Sequence, residues 1–402
     1  MRFRTIYSLR FVGLVLAVLF ANAGAAPVVP ANDAEVVEHL PARLLAMPRL
    51  LRDVAGQSTV DAMAAARANP AVAANRARAL LDEARDRGDP RYAGYALAAI
   101  APWRDDAAAP PPIAILAATL AQYQHDFDSS RKMLEAVLVR DPGNPQATLT
   151  LATIARVQGR YADSDTRCRE VSVALYQSAC LAENMALRGQ VDEARRLVHT
   201  LLATPRVLGS AGASLRQWLL TTQAELEERA GNEAAADAAY RQAMALGRDS
   251  YLILDYVDFL IAHRRDPEAE RLLVAEPQPY GDGVLLRLAI VQKDASEGNA
   301  KALAVDLHER FEAAKERGDA ISIHGRELAR ALFAVEGDAK AAVVVARDNL
   351  RIQKEPADFL VMAEAARAAG DRDAIREVAA QAKSIGLVDR RLTAITDDDV
   401  AR

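Results

Sequence analysis

The stretch "HDFDSSRKMLEAVLVRDPGNPQ", His125–Gln146, carries the pattern that decides the fold. It continues from a His-Asp pair into an amphipathic run, with the small residue Ser130 inside the run, and ends in a proline-rich turn. Phe127 is followed 34 residues later by Tyr161, in the similar stretch "QGRYADSD". The chain therefore starts a second structural unit at this distance, and the repeat must be traced before any other feature.

The restart recurs along the chain as a glycine, a short polar or aromatic step and a new amphipathic run. The copies are "GRYADS" from Gly159, "GQVDEA" from Gly189, "GNEAAA" from Gly231, "GNAKAL" from Gly298, "GDAKAA" from Gly337 and "GDRDAI" from Gly370. Glycine reaches the left-handed conformation that ends a helix, and an Asp or Asn behind it can cap the next one. In "HRRDPEAERLL", from His263, an arginine takes the place of the glycine, and His125 does the same upstream.

Small residues at a fixed position indicate that the runs pack as close helical pairs. The fifth residue after the glycine is small in four of six copies, and Leu303 and Ile375 are the exceptions. The four are Ser164, Ala194, Ala236 and Ala342. Small side chains suit a contact at which two helix axes approach to about 8–10 Å.

This pattern resembles the tetratricopeptide repeat, a helix-turn-helix unit of about 34 residues. The resemblance implies an all-α, right-handed superhelix of about nine or ten hairpins, each burying its apolar face against its neighbours. Units are expected to begin near Ile113, Ala147, Gln177, Leu219, Leu252, Leu286, Gly325 and Ala357. The predicted organisation is a signal peptide over 1–25, an N-terminal arm over 26–58, helical hairpins with a Pro-rich hinge over 59–112, the repeat array over 113–391 and an acidic tail over 392–402.

The first residues predict export. Arg2, Arg4 and Arg10 precede the apolar run Phe11–Phe20, and small residues follow, which is the three-part pattern of a signal peptide cleaved after Ala25. A ten-residue apolar run is short for a membrane-spanning helix, although an uncleaved anchor stays the alternative. We therefore expect a periplasmic or secreted protein with no stable membrane insertion after the signal is removed.

Charge and motifs narrow the function classes. The formal net charge of the chain is −5, and its arginines are interspersed with Asp and Glu. A nucleic-acid partner is therefore not expected. The sequence shows no nucleophile elbow, phosphate loop or metal-binding pair, so no catalytic, cofactor-binding or metal residue is assigned. The nearest approach, "HERFE" at His308, lacks the second histidine of a zinc protease. A hydrolase on a helical frame is a remote alternative.

The two cysteines, Cys168 and Cys180, are a candidate disulfide because export leads to an oxidising compartment. On one unbroken helix, twelve residues would span about 18 Å, too far for a bridge. The repeat register instead places Cys168 late in one unit and Cys180 early in the next, across a turn near Ala174–Gln177, where they can face each other. Two buried free thiols are the alternative.

The leading hypothesis is a scaffold that binds a protein or peptide partner in the concave groove of the array. An accessory subunit of cell-envelope polysaccharide or secretion machinery is the second hypothesis, and it differs mainly in the partner. The predicted groove stripe is Gln124, Leu151, Gln158, Met185, Gln223, Tyr256, Leu260, His263, Phe333 and Met362. Its apolar and amide character suits a peptide with apolar anchors, although residues such as Tyr256 and Leu260 can equally well pack against the next helix.

Overall fold

The computed structural model describes residues 69–87, 90–103, 109–209, 212–293, 297–316 and 320–400, all within the compact unit Val54–Arg402. The predicted signal peptide and N-terminal arm lie outside these residues. The first ten helices are α1 (Pro70–Arg87), α2 (Arg91–Ile100), α3 (Pro111–Tyr123), α4 (Phe127–Arg140), α5 (Pro145–Val157), α6 (Tyr161–Glu170), α7 (Ala174–Leu187), α8 (Val191–Leu202), α9 (Ala213–Arg229) and α10 (Glu233–Leu246). The remaining helices are α11 (Ser250–Ala262), α12 (Asp266–Val274), α13 (Asp282–Gln292), α14 (Glu297–Glu316), α15 (Ala320–Ala331), α16 (Ala339–Ile352), α17 (Pro356–Ala369), α18 (Arg372–Ile385) and α19 (Arg390–Val400).

These helices pair in chain order into nine hairpins, α1 with α2 through α17 with α18, and α19 packs against the last pair. Short 3-10, α and π turns add Ala101–Trp103, Pro205–Leu208 and Leu332–Glu336, and the described residues contain no strand. The prediction of an all-α, tetratricopeptide-like superhelical array is therefore confirmed. No helix in the part of the chain that the structure describes is both long and apolar enough to cross a bilayer.

Left-handed residues close the first helix of most hairpins, as the sequence pattern predicts. Gly159, Gly189 and Gly231 end α5, α7 and α9 with φ of +74°, +75° and +76°. At the ends of α3 and α11, His125 and Arg264 adopt the same conformation with φ of 58°. A left-handed conformation costs a side-chain-bearing residue about 1–2 kcal/mol, so the hairpin geometry is kept at these two turns in spite of strain.

The small residues of the repeat pattern lie where the paired helices contact each other. Ser164, Ala194, Ala236 and Ala342 are all fully buried. Ser130 is buried as well, and its hydroxyl donates to the Ala118 carbonyl of the partner helix at 2.7 Å. Close packing of the paired helices thus follows from the residues that the repeat pattern singled out.

Two details of the repeat pattern need correction. Asp338 and Asp371 cap the next helix as expected, but Asn232 makes no side-chain capping bond, and its amide nitrogen donates to Glu227. Gly298 is the second residue of α14, so it does not form the predicted turn; the chain before it, 294–296, lies outside the described residues.

The end of the chain differs from the predicted acidic tail. Helix α19 continues to Val400 and buries Leu392 and Ile395. Their hydrophobic cluster also contains Tyr161 of α6 and Leu187 of α7, which lie about 200 residues earlier in the chain. Apolar residues spaced along 392–395 therefore provide a packing face, and the chain folds back onto its own middle hairpins.

Candidate functional site

The surface that receives the returning chain is built from three successive turns. We call Gly159, Gly189 and Gly231 the glycine row, and Ile385–Arg391, which joins α18 to α19, the crossing segment. A Cβ placed on each glycine in turn would lie 3.1 Å from Ile385 Cδ1, 2.9 Å from Val388 Cγ1 and 3.3 Å from Arg390 Cδ. The row therefore has two reasons to be glycine, the left-handed backbone and the closeness of the crossing segment.

Backbone carbonyls at the ends of α5, α7 and α9 each accept one hydrogen bond from the C-terminal part of the chain. The Lys354 amide donates to Val157 O at 2.6 Å, and the Val388 amide donates to Leu187 O at 2.9 Å. The third bond comes from Arg390 Nη1, which donates to Ala230 O at 3.1 Å. The last carbonyls of a helix lack internal partners and carry partial negative charge, so they suit such donors, a guanidinium above all.

A carboxylate pair holds the end of the crossing segment. Arg391 forms ion pairs with Glu228 of α9 and with Asp389. The side chains of these two acids are only 7% and 1% exposed, whereas that of Arg391 is 29% exposed. Contacts with both acids raise the pKa of Arg391, outweighing the opposing effect of burial. The ion pair between Glu228 and Arg391 therefore joins two regions of the chain that are 163 residues apart.

Glu228 also belongs to a buried proton-sharing cluster. The Tyr240 hydroxyl lies 3.0 Å from Glu228 Oε2 and 2.6 Å from Asp255 Oδ2. A phenol has one proton to donate, so both contacts are hydrogen bonds only when one carboxyl is itself protonated. Burial, together with the charges of Glu225 and Glu228, raises the pKa of Asp255 well above its ordinary value. The raised pKa of Asp255 favours its carboxyl as the group that holds a proton in this cluster.

A second charged cluster lies beside the first on α11. Asp258 accepts hydrogen bonds from Arg287 of α13 and from Arg330 of α15. Burial acts to raise the pKa of Asp258, but the two guanidinium groups outweigh it, and the pKa is lowered. These contacts tie α11 to later hairpins.

Two cavities flank the end of α7. One of about 400 Å³ has Arg195, Arg229, Val388 and Arg390 in its lining, and one of about 450 Å³ has Met185 and Arg188 in its lining. The Nε atoms of Arg188 and Arg229 are buried and form no hydrogen bond. Unsatisfied buried donors are uncommon in folded proteins, but these two atoms have almost no exposed surface and do not open into the cavities.

The predicted groove stripe divides into two sets. Four of its residues are buried and pack inside the fold: Leu151, Tyr256, Leu260 and Met362. Tyr256 stacks on Tyr240, and its hydroxyl donates to Asp237. Gln124, Gln158, Met185, Gln223, His263 and Phe333 are partly exposed and remain predicted contacts. The His263 ring bonds the Phe259 carbonyl at 2.7 Å.

The structure joins Cys168 of α6 to Cys180 of α7, with their Cα atoms 5.6 Å apart, as predicted. The turn between them is 171–173, earlier than the predicted Ala174–Gln177, because α7 already begins at Ala174. His308 Nδ1 lies 3.6 Å from Glu336 Oε1. The described residues contain no group of His, Cys, Asp and Glu that could hold a metal ion.

Sequence reasoning missed the crossing segment. Glycine at the three contacted turns does not signal the segment, because the uncontacted turns at Gly337 and Gly370 have glycine as well.

Comparisons with known proteins give the following. No protein-family model and no curated protein matches the sequence. Among solved structures, the chain is similar to PilF from Pseudomonas aeruginosa (15% identity, 52% of this chain and 94% of that chain, TM-score 0.37). It is also similar to the APC/C hetero-tetramer Cut9–Hcn1 (12%, 79% and 60%, TM-score 0.45) and to the P58(IPK) TPR domain (13%, 81% and 97%, TM-score 0.23). The fold assignment rests on the chain's own helices.

Proposed function

We propose that this chain is an exported bacterial scaffold that holds a protein partner on the surface formed by the ends of α5, α7 and α9. One observation carries the proposal: this surface already binds a polypeptide segment, the chain's own, through carbonyls, turn glycines and the carboxylate of Glu228. Stacked hairpins with such ends suit the binding of another chain rather than a chemical reaction.

Two features support a periplasmic location. Residues 1–25 have the charged, apolar and small-residue regions of a cleaved signal peptide. The Cys168–Cys180 bridge fits an oxidising compartment, since disulfides persist there and are rare in the cytosol.

Fractionation of cells that express a C-terminally tagged chain tests the location. We expect the protein in the periplasmic fraction with Ala26 as its first residue by mass spectrometry. The matched control is Leu16→Arg, which interrupts the apolar run and should keep the chain in the cytoplasm with its N-terminus intact. A wild-type chain that stays cytoplasmic and uncleaved would refute export.

Quantitative co-purification from intact cells tests the scaffold function. We expect a defined stoichiometric complex with wild type, retained by Gly370→Ala and reduced by Gly189→Ala when both variants are folded. Both changes place a side chain at a left-handed turn, but only Gly189 has a neighbour within 4 Å. A chain that runs alone after cross-linking in its native cells would refute the scaffold. The identified partner would also separate a general adaptor from a subunit of polysaccharide or secretion machinery.

A further inference from the structure

A segment of the chain lies against all three glycines of the glycine row. Five successive hairpins, beginning with α3, α5, α7, α9 and α11, end their first helix in a left-handed residue. The outer two use His125 and Arg264, and the three between them use glycine. Since the outer turns tolerate a side chain, the left-handed backbone alone does not require glycine in the middle three. At these three turns the approach of Ile385, Val388 and Arg390 to within 2.9–3.3 Å adds a second reason, which Gly337 and Gly370 do not have.

The register of the contacts defines what the row recognises. Successive glycines of the row meet residues only two or three positions apart in the crossing segment, namely Ile385, Val388 and Arg390. Residues 386–389 form no helix. A non-helical segment rises up to about 3.3 Å per residue, so a few of its residues can pass several hairpin ends, which one turn of helix cannot do. The row is therefore covered by the last residue of α18, a short non-helical step and the first residue of α19.

The chemistry of the occupant is equally defined. Two aliphatic side chains, Ile385 and Val388, contact the glycines, and two arginines follow them. Arg390 donates to a helix-terminal carbonyl and Arg391 pairs with the buried Glu228. The matching ligand has aliphatic residues followed within two or three positions by arginines.

Part of the occupant is open to solvent, whereas its Leu387 and Asp389 are buried. Val388 is 49% exposed and Arg390 is exposed. The 400 Å³ cavity beside them, which has Arg195 and Arg229 in its lining, leaves room for a further side chain. The chain's own segment fills only part of the site.

We propose that the glycine row is a peptide-docking site, that Ile385–Arg391 is its resident occupant, and that a partner's aliphatic-arginine segment binds by displacing it. This inference rests on the proposed scaffold function and names the chemistry of its partner. The resident segment competes with the partner, so weakening the resident segment strengthens partner binding.

The probe is a fluorescent peptide, "SIGLVDRRLT", Ser384–Thr393, and the control peptide carries Glu in place of both arginines. Anisotropy titrations use the full chain as wild type and as Arg391→Ala. If the resident segment covers the row in about nine of ten molecules, releasing it should lower the apparent Kd of the probe about tenfold. Adding Gly189→Ala to Arg391→Ala should abolish that gain, and adding Gly370→Ala should not. Equal probe affinity for wild type and Arg391→Ala, or equal loss from the two glycine changes, would overturn the proposal.

A second measurement applies if Arg391→Ala does not fold. Saturating wild type with the probe should speed hydrogen exchange of the Val388 amide, which bonds Leu187 O, and leave the Leu387 amide, which bonds Ala382 O, unchanged. Unchanged exchange at Val388 would refute displacement. If the probe fails while a native complex is still recovered, the scaffold function stands and only the docking site is wrong.

Discussion

Among the residues that the structure describes, six glycines share one left-handed backbone conformation and fall into two groups by their surroundings. Those of the glycine row touch the crossing segment, whereas those near the end of the chain have no atom within 4 Å of an added Cβ; the latter are Gly337, Gly370 and Gly386. The sequence around the two groups is alike. The comparison shows that the repeat pattern specifies the local turn in both groups. The long-range contact depends on where the end of the chain folds back, which the pattern does not specify.

The largest difference in unfolding free energy should be between the loss of Arg391, which holds the crossing segment, and the loss of an exposed arginine in α18. Arg391→Ala leaves Glu228 and Asp389 buried without their cation, which costs about 3–5 kcal/mol of unfolding free energy, nearer the lower figure because Arg391 is 29% exposed. The matched control is Arg376→Ala in α18, which breaks an exposed pair with Asp373 and should cost about 0–1 kcal/mol. Urea unfolding of both variants measures the difference. Equal losses would mean that the crossing segment is not held at Glu228.

The next effect concerns the junction between α6 and α7, where no glycine is available and a disulfide is present. The change of Cys168 and Cys180 together to Ala should lower the unfolding free energy by about 3 kcal/mol, because the open chain gains entropy. Urea unfolding of the unreduced wild type and the double variant checks this. Denatured, unreduced wild type should show no titratable thiol, and two thiols would contradict the bridge.

A smaller effect separates the two groups of glycines directly. Gly370→Ala should cost about 1–2 kcal/mol for the left-handed backbone alone. Gly189→Ala should cost at least about 1 kcal/mol more, because its Cβ would lie 2.9 Å from Val388 Cγ1 and must push it away. Thermal melts and urea curves, run side by side, give the difference. If the two variants lose the same free energy, the contact with Val388 contributes nothing.

The smallest effect is a pH dependence at the cluster that supports Glu228. The raised pKa of Asp255 means that the folded state holds its proton more tightly than the unfolded state. This contribution is fully present below the unfolded pKa of about 3.9 and is lost as the pH rises through the folded pKa. Relative to Asp255→Asn, wild type should therefore lose stability as the pH is raised. The facing acids Glu225, Glu228 and Asp258 stay in both proteins, so urea curves of the pair at several pH values isolate Asp255. A constant difference at every pH would refute the proton-sharing cluster.

Much of the fold follows from sequence because its determinants are local. Glycine at a helix end, a small residue five positions later and an amphipathic run fix each hairpin within about 34 residues. The left-handed turn at His125 and the register of Cys168 and Cys180 follow in the same way.

The candidate site could not be read in this way. Its contacts join Gly189 to Val388 and Glu228 to Arg391, pairs that no local period relates. The three consecutive acids Asp397–Asp399 led to the prediction of an acidic tail, although Leu392 and Ile395 before them are buried by α19. Buried Tyr256 and Leu260 show the same limit, since an apolar stripe has one appearance in sequence whether it packs or binds.

Residue-resolved hydrogen exchange of wild type tests most directly whether the crossing segment lies on the glycine row. The Val388 amide bonds Leu187 O across the row, whereas the neighbouring Leu387 amide bonds Ala382 O within its own hairpin end. If the segment is docked, both amides should exchange slowly, and Arg391→Ala should speed only Val388. If Val388 exchanges in wild type at the rate of an unstructured peptide while Leu387 stays protected, the segment is not on the row and the account is wrong.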